Sequence, residues 1–195
     1  MSKENAARKQ SIAIEPRYVA RLAGTLLGIC LVTALLLGIV NQITKPRIDA
    51  IEKAKQEAAM RQVLAADEYI PLEADLPDHV TALYEVRSGG GSIGYVAETV
   101  TNGSQGAIRM MVGVDIDGRV TGVSVVSHSE TPNIGTKVVA DQSVLDRFAG
   151  MSHEGGEITV NAGSNRFDGV TGATVSSKGV TAGVNAALAA VSGKS

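Results

Sequence analysis

The sequence predicts an α+β protein: one N-terminal transmembrane helix, a helical stalk, then a domain of mainly antiparallel sheet with flanking helices. Three observations predict it. Leu22 to Val40, "LAGTLLGICLVTALLLGIV", carries no charge. From His79 onward, β-branched residues alternate with glycine-rich turns, the pattern of hairpins. The chain then closes on an alanine- and valine-rich stretch, Val175 to Val191, with the composition of a buried helix.

The apolar run makes a helix of roughly 28 Å at 1.5 Å per residue, close to the thickness of the hydrocarbon layer. A secretory signal has a shorter apolar core and a small-x-small cleavage site. Here "NQITKPR" follows instead, so the span reads as a retained anchor in a lipid bilayer. Lys3, Arg8, Lys9, Arg17 and Arg21 precede it, and Lys45, Arg47, Lys53 and Lys55 follow. That balance leans slightly towards an inside N-terminus. Gly24 and Gly28 form a small-xxx-small pair that admits a neighbouring helix.

Thr44 to Asp67 reads as a second helix, with Pro46 in its first turn and Asp49–Lys53 and Glu57–Arg61 at ion-pair spacing. "VTALYEV" and "IGYVAETV" flank "RSGGGS" as one hairpin. "AIRMMVGVDIDGRVTGVSVVSHS" repeats the arrangement around Asp117-Gly118, a strong two-residue turn signal. Thr136 to Ala149 reads as a helix stopped by Gly150, and "EITV" as a short strand. The division expected is a segment 1–21 on the inner side, a transmembrane helix 22–43, a stalk and linker 44–78, and a soluble domain 79–195.

Composition excludes several functions. A net charge of −2 argues against a nucleic-acid partner, which a basic face would announce. One cysteine, Cys30, leaves no disulfide framework, zinc set or iron–sulfur ligand set. His79, His128 and His153 lack ligand-like spacing, so no metal is expected.

The chemistry concentrates at Asp168-Gly169-Val170-Thr171-Gly172-Ala173-Thr174-Val175-Ser176-Ser177, where four hydroxyls open a helix. On spacing alone two readings stand. The hydroxyls cap a helix, or one of them is modified: the helix start offers free N–H groups to a phosphate, and Gly172 and Ala173 leave Thr174 accessible. A threonine hydroxyl needs an activating base or metal to act as a nucleophile. The chain offers neither Ser-His-Asp order nor a glycine-framed serine, so self-catalysis is not expected.

"DGVTGAT" resembles the flavinylation motif of the FMN-binding domains in the RnfG and NqrC families, Asp-Gly-x-(Ser/Thr)-Gly-Ala-Thr. A second block, "HSETPNIG" from His128 to Gly135, is similar to the family's Ser-x-x-x-Thr-Pro-Gly-x-Gly segment, with Asn133 where glycine is usual. Asparagine tolerates a left-handed backbone, so the turn survives the change. The resemblance extends over nearly the whole chain, and its length favours RnfG over NqrC.

The resemblance implies a cofactor and a role. The cofactor is FMN, bound covalently by a phosphoester to Thr174 and placed there by a separate flavin transferase. Asp168, Gly169, Thr171, Gly172, Ala173 and Ser176 complete the motif region. His128, Glu130, Thr131 and Lys137 of the second block are the polar groups expected to approach the flavin. Tyr84 and Tyr95 either stack on it or fill the sheet face. The isolated chain is then an electron carrier with no catalytic residue of its own, in an Rnf-type complex with other membrane and iron–sulfur subunits. That complex couples electron transfer between ferredoxin and NAD to Na⁺ or H⁺ translocation. The resemblance places it in the bacterial inner membrane, single-pass, with the C-terminal domain extracytoplasmic. Two rivals remain: an NqrC-like component of a Na⁺-translocating NADH:quinone reductase, and a membrane-tethered sensory or ligand-binding module without covalent flavin.

Overall fold

The computed structural model describes residues 16–73 and 75–192; the segment 1–21 assigned to the inner side lies mostly outside them. The chain falls into two compact units, one ending at Ala50 and the other beginning at Ile51.

In the first unit, helix α1 (Pro16–Val63) carries the uncharged run. It is the described helix long and apolar enough to cross a membrane by length and composition. The leucine and isoleucine side chains of this stretch are exposed. Its two threonines donate to carbonyls of the preceding turn, Thr25 to Leu22 at 2.8 Å and Thr33 to Ile29 at 2.7 Å. No hydroxyl is therefore left bare in an apolar medium. A Cβ added at Gly24 or Gly28 would meet nothing within 4 Å. Pro46 lies inside the helix rather than at a new start. Proline removes one N–H from the ladder, and here the helix runs through it, so the separate second helix expected from Thr44 is a continuation of the first.

In the second unit, α1 ends at Val63, four residues short of the expected Asp67. The stop is built by the sheet: the Thr121 hydroxyl donates to the Val63 carbonyl at 2.6 Å. A Cβ at Gly113 would lie 2.8 Å from that carbonyl oxygen, and one at Gly122 3.3 Å from the Val63 Cα. Gly113 and Gly122 are cross-strand partners, so the pair makes a flat spot on which the helix end rests. Glu57 and Arg61 do not close an ion pair among the described residues.

The sheet is an antiparallel meander: β1 (Glu68–Pro71), β2 (Val80–Ser88), β3 (Gly91–Asn102), β4 (Ala107–Asp115) and β5 (Val120–His128), paired in sequence order. Both expected hairpins form, turning at Gly89-Gly90 and at Gly118, whose φ values are positive. β1 escapes the sequence pattern: it is a four-residue edge strand ending in proline, too short and irregular to show alternation.

The long helix expected over 136–149 divides into α2 (Thr136–Val139), α3 (Gln142–Leu145) and a 3-10 turn, Asp146–Phe148. Asp141 breaks it. Its backbone is extended and its carboxylate caps Ser143 N–H at 3.0 Å, the local bond by which aspartate competes with a helix interior. Gly150 ends the segment at φ +81°. Beyond it, β6 (Thr159–Val160) pairs in parallel with β7 (Arg166–Phe167), and α4 (Thr174–Val191) closes the chain.

The two sheet faces carry separate cores. α4 covers one, where Val180, Val184 and Leu188 meet Ala97, Ile108, Met110 and Val112. Two of its residues are glycines: a Cβ at Gly179 would lie 2.7 Å from the Asn102 carbonyl, and one at Gly183 2.8 Å from the Thr99 hydroxyl. Helix and β3 therefore approach more closely than a side chain would permit. The protein's two phenylalanines, Phe148 and Phe167, stack at 4.1 Å in this core. On the other face Ala59, Met60 and Val63 cover Val86, Val96 and Met111.

Candidate functional site

The four hydroxyls of the α4 start have unlike surroundings, and none of them caps the helix. The residue before its first turn is Ala173, with no side-chain cap bond. Ser176 is 1% exposed and donates to Glu130 Oε2 at 2.7 Å. Ser177 is fully buried, and its oxygen accepts from the Val170 N–H at 3.3 Å. Thr171 and Thr174 are exposed. The helix geometry leaves the N–H groups of Thr174, Val175 and Ser176 without intrahelical acceptors, and no acidic side chain occupies the first turn.

The approach to Thr174 is shaped by small residues. Gly172 has φ +83°, and nothing stands within 4 Å of where its side chain would be. Its left-handed backbone turns the chain into the helix, and its bareness opens the ground beside Thr174. Gly169 serves packing instead: a Cβ there would come within 2.7 Å of Val160. Its N–H donates to the Asn161 side-chain oxygen at 2.9 Å. Asp168 is exposed and ion-paired to Arg166 at 2.8 Å, a surface pair worth at most about 1 kcal/mol; Arg147 donates to its carbonyl at 3.1 Å.

The second block arrives beside this turn. Glu130 is 6% exposed, and its two oxygens serve three donors: Ser104 N–H at 2.6 Å, Gln105 N–H at 3.4 Å and the Ser176 hydroxyl. A Cβ at Gly103 or Gly135 would overlap the Glu130 carboxyl, and one at Gly135 would stand 2.8 Å from the Ser176 oxygen. Two glycines thus make the room in which the carboxylate sits. His128 turns inward to its own loop, its Nδ1 facing the Glu130 N–H at 3.3 Å. The Thr131 carbonyl accepts from Ile134 N–H at 3.2 Å. Asn133 takes φ +63° and donates its N–H to the Thr136 hydroxyl at 2.8 Å, so asparagine does hold the left-handed turn. Lys137 is exposed on α2.

The structure thus brings Glu130, Gly135 and Ser176 together directly. Tyr84 stands on the sheet face covered by the end of α1, beside Met60 and Tyr69 in a groove of about 400 Å³, while Tyr95 packs against the α4-side core. Three exposed side chains nearby in sequence escape the sequence reading. Ile134 and Val175 are exposed apolar side chains, 53% and 55%, each next in sequence to one of the touching residues Gly135 and Ser176. Lys178 is exposed one helical turn after Thr174. The i,i+4 spacing marks Lys178; no sequence pattern marks Ile134 or Val175.

Among the described residues no group of histidine, cysteine or carboxylate side chains could hold a metal ion. Among the described residues no base is hydrogen-bonded to the Thr174 hydroxyl, so the arrangement presents a hydroxyl without activating it. What it offers is an accessible acceptor oxygen, N–H groups for a phosphate and adjacent apolar surface.

Comparison with known proteins gives matches over both units. A model described as the RnfG N-terminal region matches residues 16–63, and one described as an FMN-binding domain matches residues 103–189. The G subunit of the Na⁺-translocating ferredoxin:NAD⁺ oxidoreductase complex of Acetobacterium woodii is 30% identical, over 92% of this chain and 95% of that one. The G subunit of the ion-translocating oxidoreductase complex of Methanosarcina acetivorans is 29% identical, over 91% and 97%. In fold, the chain is similar to the crystal structure of the C subunit of the Na⁺-translocating NADH-quinone reductase of Parabacteroides distasonis. The TM-score is 0.50 at 19% identity, over 72% of this chain and 80% of that one.

Proposed function

The chain belongs to the RnfG family, the G subunits of ion-translocating oxidoreductase complexes, and from that membership we propose that it carries FMN through a phosphoester bond to Thr174. It is an electron-transport component of such a complex, with an FMN-binding domain. Oxidoreduction belongs to the complex as a whole; this chain's part is to hold a flavin and present it.

One observation carries the assignment to Thr174: Ser176 and Ser177 are buried in bonds of their own, and of the two exposed hydroxyls, Thr171 and Thr174, it is Thr174 that stands in the first turn of the helix. The residues present fit the group. Gly172 leaves space beside the acceptor oxygen, the N–H groups of the first turn suit a phosphate, and Ile134 and Val175 offer apolar surface to a ring. Bound there, FMN supplies reversible electron acceptance. The protein orients it through the rigid first turn of α4, and Lys137 and Lys178 add positive charge nearby.

Because Thr174 lacks a base, a separate flavin transferase forms the bond. In this reading the complex carries electrons between ferredoxin and NAD while moving Na⁺ or H⁺; the name of the Acetobacterium relative gives ferredoxin, NAD⁺ and Na⁺ for that protein. We place the chain in the cell membrane as a single-pass protein, residues 22–43 spanning and the domain from residue 79 extracytoplasmic, beside other membrane and iron–sulfur subunits. Five Lys and Arg side chains before the span against four just after it lean slightly towards this orientation. The test is direct: protein co-produced with a flavin transferase, denatured and run on a gel, shows flavin fluorescence with Thr174 and none with T174A. Fluorescence surviving in T174A moves the acceptor to another hydroxyl.

A further inference from the structure

We infer that Glu130 is a positioning and potential-setting residue of the flavin site: its buried carboxylate fixes the turn that bears Thr174 and makes the ground beside Thr174 electronegative. The inference deepens the proposal above and rests on it for the flavin itself.

The carboxylate stands in an unusual setting. It is 6% exposed, and no cation lies within ion-pair distance among the described residues. Its partners are dipoles: two backbone N–H groups of the 104–105 turn and the Ser176 hydroxyl. Buried carboxylates are ordinarily paired with a cation, and dipoles stabilise a charge without neutralising it. Gly103 and Gly135 reserve the space that the carboxyl occupies, so three segments of chain are shaped around this group.

Ser176 connects the charge to the acceptor. It lies two residues from Thr174 in the first turn of α4, and its bond to Glu130 fixes the rotation of that turn, leaving Thr174 outward. A structural brace alone would be served by a neutral amide of the same size. A carboxylate adds an uncompensated negative charge at low exposure, where screening is weak. Negative charge near a flavin disfavours the addition of electrons, so Glu130 holds the potential of the attached flavin down.

The field can be read without flavin, through a thiol in the acceptor's place. A nearby negative charge raises a thiol's pKa and lowers its thiolate fraction, hence its rate of alkylation. In full-length protein in detergent, with C30S removing the native thiol, T174C is expected to alkylate about two- to fivefold faster at neutral pH when E130Q is added. E130D, which keeps the charge, is expected to match Glu130. His128, Lys137, Lys178 and the Arg166–Asp168 pair are common to all of these proteins. In flavin-loaded protein with Thr174 intact, E130Q is expected to raise the midpoint potential. Equal or slower alkylation in folded E130Q, or an unchanged potential, overturns the inference. Should E130Q not fold, S176A supplies the test: it removes the hydroxyl that screens Oε2 and leaves the charge, so it should slow T174C alkylation, and an unchanged rate overturns the inference. Absence of covalent flavin from the wild-type protein by intact mass would sink the Thr174 assignment instead, and leaves the thiol result to be judged by itself.

Discussion

Thr174 and Ser176 stand two residues apart in the first turn of α4 and face opposite ways, Thr174 into solvent and Ser176 onto the Glu130 carboxylate. An α-helix turns through about 200° in two residues, so the inward bond of one sets the outward direction of the other.

Replacing Thr174 with alanine or valine should abolish flavin retention and leave the fold nearly intact. Helix-start attraction for a phosphate is about 0.3–1 kcal/mol when exposed, and even millimolar affinity takes about 4.1 kcal/mol, so the covalent bond decides retention. T174S should keep some flavin, and T171A should keep it fully. In-gel fluorescence after denaturation is the measurement.

Glu130→Ala should destabilise the domain by about 2–4 kcal/mol, because Ser104 N–H and the Ser176 hydroxyl lose their buried acceptor. Urea unfolding followed by circular dichroism gives the number. A loss below about 0.5 kcal/mol would mean that water replaces the carboxylate freely.

Two glycines near the site should fail differently. Gly135→Ala collides with the Glu130 carboxyl and approaches Ser176, so it should disturb the brace and reduce flavin loading. Gly172→Ala meets no atom but must adopt φ +83°, a cost of about 1–2 kcal/mol. Gly172→Asn should be milder than Gly172→Ala, since asparagine tolerates that region. Melting temperatures of the three variants rank them.

Acid should loosen the first hairpin only below the ordinary aspartate range. Asp67 accepts from Gly89 N–H at 3.1 Å and from the Ser88 hydroxyl at 3.0 Å. These bonds, the backbone one first, hold its carboxyl below the ordinary aspartate value. A lowered folded-state pKa contributes stability above the unfolded value, and that contribution is lost as pH falls through the folded value. NMR titration of Asp67 should show the depressed midpoint, and D67N should remove the effect.

Much of the molecule is legible in its residues. Asp117-Gly118 and the "SGGG" run announce both hairpins. Asn133 reads correctly because its backbone preference is local. What stays hidden depends on contacts between distant segments. The interrupted helix at Asp141 turns on whether its carboxylate caps Ser143 or faces water, and apolar spacing reads the same either way. Glu130 reads as a flavin-facing group, because sequence spacing cannot reveal that Ser104, 26 residues earlier, and Ser176, 46 residues later, converge on it. Nor can it tell that the hydroxyl-rich start of α4 contains no cap.

The landing of α1 on Gly113 and Gly122 has a practical side. Ala59, Met60 and Val63 are the lid over Val86, Val96 and Met111, so a shortened protein that begins after Val63 would bare that apolar surface to water. Such a fragment should self-associate and precipitate on concentration, whereas one cut near Lys45 keeps the lid and should remain monodisperse. The last turns before Val63 belong to the soluble domain's own solubility, whatever boundary the hydropathy of the chain suggests.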